Sequence, residues 1–166
     1  MSKQFWIFLI VGLGIVGVLI SGVFMGTKSS HLELTGKILK VRTLALSGGK
    51  ASLVVIDFRV KNPSAVPFVV SNVEIRLEPS SGTGAGAEIT GSEVSKADIA
   101  SVFEQDKLIG PQFNDVLTLQ SRIPPQTTQD RMVGARFELP ESAIGQRKSI
   151  RLHIEDVDGT AAEIGE

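Results

Sequence analysis

Apolar residues recur at every second position through most of the chain beyond Ser30, the periodicity of strands with one buried face. The clearest run is Leu53 to Lys61, in which Val54, Ile56, Phe58 and Val60 are expected to face a core while Asp57, Arg59 and Lys61 face water. A longer, less regular run from Leu32 to Leu46 precedes it, with Gly36 as the expected bulge or bend. Ser47 to Lys50 reads as the hairpin turn between the two. The segment Asn62 to Pro67, NPSAVP, ends the second strand, because both prolines lack an amide donor and fix their own φ. A third strand runs from Phe68 to about Glu78, with Val69, Ser71, Val73, Ile75 and Leu77 on one face and Glu74, Arg76 and Glu78 on the other.

Three more alternating runs follow: Leu117, Leu119, Ile123; Val133, Ala135, Phe137, Leu139; and Ile150, Leu152, Ile154. Pro124 with Pro125, then Pro140, then the tight-turn dipeptide Asp158-Gly159 end them in order. Six or seven short strands separated by turns predict an all-β fold, an immunoglobulin-like antiparallel β-sandwich. One short helix interrupts the pattern between Ser95 and Gly110. Ser95 caps it, Asp98 occupies the capping-box position, and Ile99, Val102 and Phe103 share a face. Such an insertion is expected to cover a sheet edge or the open end of a barrel or sandwich.

The N-terminus carries a different signal. From Phe5 to Met25 no charge interrupts an apolar run that, as a helix, is about 31 Å long and matches a bilayer's hydrocarbon core. The chain thus divides into a transmembrane anchor at 1–26 and a β-sandwich domain at 27–166. The run is longer than a secretory signal's apolar region and lacks a small-x-small cleavage site, so an uncleaved signal anchor is expected. With no Cys in the chain, lipoprotein processing is excluded. Counting Lys3 against Lys28, Lys37, Lys40 and Arg42 would keep the domain cytoplasmic. Lys37 to Arg42 belong to the folded domain, however, and a short basic N-terminus stays inside, so an extracytoplasmic domain, periplasmic or extracellular, is expected. Gly14, Gly17 and Ser21 share a helix face, and Gly22 and Gly26 are spaced for close helix approach, which allows a homodimer through the membrane helix.

Beyond residue 26, sixteen Lys and Arg balance eighteen Asp and Glu, so a nucleic-acid partner has no electrostatic footprint. The basic residues are concentrated between Lys28 and Lys61, and they read first as solvated strand faces and second as a side turned toward anionic headgroups. Absence of cysteine removes disulfides, thiol nucleophiles and Cys-based zinc sites.

Nothing convergent and catalytic stands out. His31 and His153 have neither ligand nor triad spacing, and His153 is expected on a solvated strand face. Gly82, Gly84 and Gly86 resemble a phosphate loop only in composition, because no lysine or helix opening follows. Glu155 to Gly159 offers Asp156 and Asp158 to a hard cation such as calcium, yet Ala161 stands where an EF-hand loop needs Gly, and a β-turn is the better reading. Pro63 disqualifies Asn62 as a glycan acceptor. No catalytic, cofactor-binding or metal-binding residue is assigned, and an enzyme is not expected.

The stretch Val55 to Ile75, VIDFRVKNPSAVPFVVSNVEI, resembles the type-2 late embryogenesis abundant (LEA) and water-stress-and-hypersensitive-response (WHy) domains in its strand ending at Asn62-Pro63, its short loop to Pro67 and its second strand of matching length. That resemblance implies an immunoglobulin-like sandwich behind a single membrane helix, with no catalytic residues. The expected function is a membrane-anchored, non-enzymatic module for binding, scaffolding or stress protection at the cell envelope. Its expected partners are the lipid bilayer and a protein. The alternative is an accessory subunit of a larger envelope or secretion assembly.

Overall fold

The computed structural model describes residues 12–19, 21, 33–80 and 84–166. Residues 12–19 are helical. The remainder of the apolar run, and with it the expected membrane span, lies outside the described residues. Among those described, no helix is long and apolar enough to cross a membrane.

The rest is an all-β sandwich. Its strands are β1 (Thr35–Leu46), β2 (Ala51–Lys61), β3 (Phe68–Pro79), β4 (Ile89–Thr90), β5 (Ser92–Glu93), β6 (Asp115–Val116), β7 (Arg122–Ile123), β8 (Thr128–Phe137), β9 (Arg147–Asp156) and β10 (Ala161–Gly165). Two helices join them, α1 (Lys96–Gln105) and α2 (Glu141–Gly145). One sheet runs β1-β2-β8-β5 with β6 also on β8; the other runs β10-β9-β3-β4 with β7 also on β3. The main core lies between them. Val54, Ile56, Phe58 and Val60 of β2, Val133, Ala135 and Phe137 of β8, Ile75 and Leu77 of β3, and Ile150, Leu152 and Ile154 of β9 are all buried in it. Full burial of each Val, Ile, Leu or Phe contributes about 1.5–3 kcal/mol, which is why the alternating runs dictate the layers.

Several expectations are corrected. Gly36 is not the bulge in β1; the register shifts between Ile38 and Lys40. Gly36 instead marks close packing, since a Cβ there would sit 2.4 Å from the Arg59 carbonyl oxygen and 2.7 Å from Ile164 Cδ1. In β3 a register shift between Val70 and Asn72 changes which side chains face inward. Phe68 and Val70 are therefore buried before the shift and Ile75 and Leu77 after it, and Val69 leaves the expected core face.

The run Leu117, Leu119, Ile123 is not one strand. Its two ends pair with different sheets, β6 with β8 and β7 with β3, and a turn containing the exposed Leu119 links them. The β6–β8 pairing is parallel, which qualifies the expected all-antiparallel arrangement. Neither α2 nor β10 was legible as an element: α2 is a single short turn after Pro140, and β10 is five residues long.

The NPSAVP loop is organised by a side chain and not by its prolines alone. Asn62 is fully buried; its Nδ2 donates to the carbonyls of Val66 (2.9 Å) and Ile123 (3.0 Å), and its Oδ1 accepts from the Ser64 amide (2.9 Å). One amide thereby ties the end of β2 to the start of β3 and to β7.

Candidate functional site

The helical insert covers a sheet edge, as expected, because its flanking strands β5 and β6 pair along the edge of β8 that β2 leaves free. It lies on the outer face of the first sheet, where Ile99 and Phe103 of α1, Ile109 and Val116 pack with Leu53 and Val55 of β2 and Met132 of β8 in a second apolar cluster. Ser95 caps α1 as expected: its hydroxyl accepts from the Asp98 amide at 3.2 Å and donates to the Asp98 carboxylate at 2.7 Å. Gly134 of β8 leaves room for the helix, because a Cβ there would lie 2.8 Å from Ile99 Cδ1.

A buried ion pair locks the insert down. Lys40 is opposite Asp57 and Arg42 opposite Val55, so Arg42 and Asp57 are diagonal neighbours on adjacent strands and the same outer face. Arg42 Nη2 donates to Asp57 Oδ2 at 2.6 Å, and each side chain is 5% exposed. Arg42 Nη1 donates to the carbonyls of Pro111 (2.8 Å) and Ile109 (3.3 Å), on either side of Gly110, whose φ of 82° favours glycine. The guanidinium carbon lies 4.7 Å from the Phe103 ring centroid and 6.0 Å from that of Phe113. Asn114 Nδ2 donates to the other Asp57 oxygen at 2.9 Å.

The sequence pattern places Asp57 in water and Arg42 on a solvated strand face or, second, toward headgroups; the structure corrects both, since each side chain is buried. With each Asp57 oxygen engaged and Arg42 bound to a carboxylate and two carbonyls, the arrangement works as a clamp. Arg59 is likewise committed, by two hydrogen bonds of 2.7 and 2.8 Å to Asp130. Those bonds hold the Asp130 carboxyl below its ordinary value.

Around the clamp the insert presents a surface. Leu108 is 90% exposed and Phe113 68%. Beside Phe113, an open hollow of about 450 Å³ is lined by Gln112, Asn114, Asp115 and Asp130. Its carboxylates lie next to arginines, Arg59 at Asp130 and Arg131 at Asp115 (3.4 Å).

The outer face of the second sheet is polar. Arg76 donates to Glu74 at 2.8 and 3.0 Å and to Glu163 at 3.4 Å. Hydrogen bonds from Arg76 first, and from Asn72 second, hold the Glu74 carboxyl below its ordinary value. His153, expected on a solvated face, is only 17% exposed and stands in register between Glu74 and Glu163, with Nδ1 3.7 Å from Glu163 Oε1. His31 and Gly82 lie outside the described residues.

At the acidic turn, Asp156 is buried and its Oδ1 accepts from the Val69 amide at 3.2 Å, while the Gly159 amide donates to the Asp156 carbonyl. The segment is a turn in which Asp156 faces inward to support β3. Among the described residues no group of three or more His, Cys, Asp or Glu is placed to hold a metal ion.

The clamp was missed because a strand read with one buried face assigns every charge to water. The run Leu53-Val54-Val55-Ile56 carried the contrary signal, since four consecutive apolar residues imply burial on both faces.

Fold and site together define an all-β sandwich with a helical insert clamped over one outer face. No known protein family, no curated protein and no solved structure matches the chain.

Proposed function

We propose that the chain is a membrane-anchored, non-enzymatic binding or scaffolding module of immunoglobulin-like type, acting at the cell envelope. The strand connections support the immunoglobulin-like reading. A β1–β2 hairpin in one sheet, crossings to β3, back to β8 and over to β9, and a β9–β10 hairpin in the other form a Greek-key order. The resemblance of residues 55–75 to LEA and WHy domains agrees with it, and it makes stress protection one use of such a module.

The observation that carries the functional reading is the Arg42–Asp57 clamp. The buried Arg42 and Asp57 side chains are engaged in holding the insert, and the insert's exposed side chains, Leu108 and Phe113, suit contact with a partner and offer no nucleophile or base. Anchoring rests on the uncharged run from Phe5 to Met25. Alkaline carbonate extraction of membranes carrying the full chain tests it: retention in the pellet is expected, and release would contradict anchoring. Protease accessibility in intact and opened cells then fixes the side, with an extracytoplasmic domain expected.

The second reading, an accessory subunit of a larger envelope or secretion assembly, is favoured by one observation. Gly14 and Gly17 lie in the helical residues 12–19, and among the described residues a Cβ at either meets nothing within 4 Å, which leaves room there for another helix, including that of a second copy. Stoichiometric membrane partners in mild detergent would favour it over the first.

A further inference from the structure

Exposed apolar side chains also gather at one end of the sandwich. The first residues of β3 are flanked on one side by the 118–123 segment and on the other by the β9–β10 turn. The Gln120 amide donates to the Val70 carbonyl at 2.8 Å, and the Val157 amide to the Val69 carbonyl at 3.0 Å. Leu119 (49% exposed) and Val157 (59% exposed) therefore lie on either side of the same strand end, beside the exposed Ala65 and Pro67 of the preceding loop.

The N-terminal segment joins the domain at this same end. β1 begins there, with Thr35 opposite Lys61, and Leu34 is buried in the main core, so the chain is fixed to the domain from residue 34 onward. Only the eight residues 26–33 separate that point from Met25, a reach of at most about 32 Å at full extension. The opposite end, where the 47–50 turn joins β1 to β2, lies a further strand length away, about 40 Å for the twelve residues of β1.

We infer that the sandwich end bearing Ala65, Pro67, Leu119 and Val157 rests on the lipid surface of the membrane that holds the N-terminal segment, a placement that depends on the anchoring reading above. The tether length and its point of attachment select the bilayer as the occupant. The exposed Lys61 and Arg122 at this end are offset by Glu33 and Asp158, so the apolar tips carry the contact and uncharged phosphatidylcholine suffices. Leu108 belongs to the insert over the outer face of the first sheet, next to Ile109, whose carbonyl accepts from the mid-strand Arg42, and so serves as the reference position.

The chain has no cysteine, which makes single-site labelling direct. Full-length protein carrying Leu119→Cys, Val157→Cys, Ala65→Cys or Leu108→Cys is labelled with bimane and reconstituted in phosphatidylcholine vesicles containing a nitroxide-bearing lipid. Loss of emission is expected at 119, 157 and 65, with emission retained at 108. If protein that resists carbonate extraction keeps its emission at 119, 157 and 65 as it does at 108, the docking inference is overturned and anchoring stands. If the protein leaves the vesicles in carbonate, anchoring fails and the docking inference falls with it.

Discussion

Arg42 and Asp57 meet at 2.6 Å on the side of the first sheet that faces away from the sandwich core, with 5% of each side chain exposed. Two charges reach such burial only when their remaining hydrogen-bonding capacity is met, and here the carbonyls of Ile109 and Pro111 and the amide of Asn114 meet much of it. The pair and the insert thus require each other.

Removing one partner strands the other's charge. Arg42→Met or Asp57→Leu alone is expected to cost about 3–5 kcal/mol, read as a drop in the urea midpoint. The double variant is expected to cost less than the sum, with a coupling of about 0.5–3 kcal/mol. Strict additivity would contradict the clamp. Arg42→Lys is expected to rescue poorly, because one ammonium cannot reproduce the guanidinium fork or its stacking on Phe103.

Asn62 makes three side-chain hydrogen bonds in a fully buried position. Asn62→Ala leaves the Val66 and Ile123 carbonyls without its donors, at about 1–3 kcal/mol for each group left unsatisfied. Asn62→Asp also loses both donors and places a carboxylate against two carbonyls. Thermal melts are expected to rank the two variants with Asp the less stable near neutral pH.

The period-two reading located the strands because β2, β8 and β9 each bury alternate residues between two sheets. It failed where a strand buries both faces, as at Leu53 to Asp57, and where a single shift reverses the pattern, as between Val70 and Asn72. The clamp was the least legible feature. Arg42 and Asp57 lie fifteen residues apart, and their meeting depends on β1–β2 register and on an insert some fifty residues further along. Asn62 was visible as part of a loop signal, but its role depends on Ile123, sixty-one residues away.

Two glycines report on close packing. Gly36→Ala drives a Cβ into the Arg59 carbonyl, a backbone atom, whereas Gly134→Ala meets the flexible tip of Ile99. The Gly134 change is expected to cost about 1–3 kcal/mol by overpacking, and Gly36→Ala more. Comparable urea midpoints for the two would contradict this packing.

Acid sensitivity has a named contributor. Because Arg76 and Asn72 hold the Glu74 carboxyl below its ordinary 4.5, Glu74 adds stability that is present above that pH and is lost as pH falls through the lower folded-state value. Glu74→Gln is expected to be less stable than wild type near neutral pH, with the difference shrinking as the solution is acidified below about pH 4.5. A difference independent of pH would remove Glu74 from this role.

The most direct test of the clamp is hydrogen exchange on the full-length protein, comparing wild type with Arg42→Met under native conditions. Faster exchange is expected at the amides of residues 99–109, while those of β2, β8 and β9 keep the protection of the sandwich core. Unchanged exchange across 99–109 would contradict the account, because the insert would then hold to the sheet without Arg42.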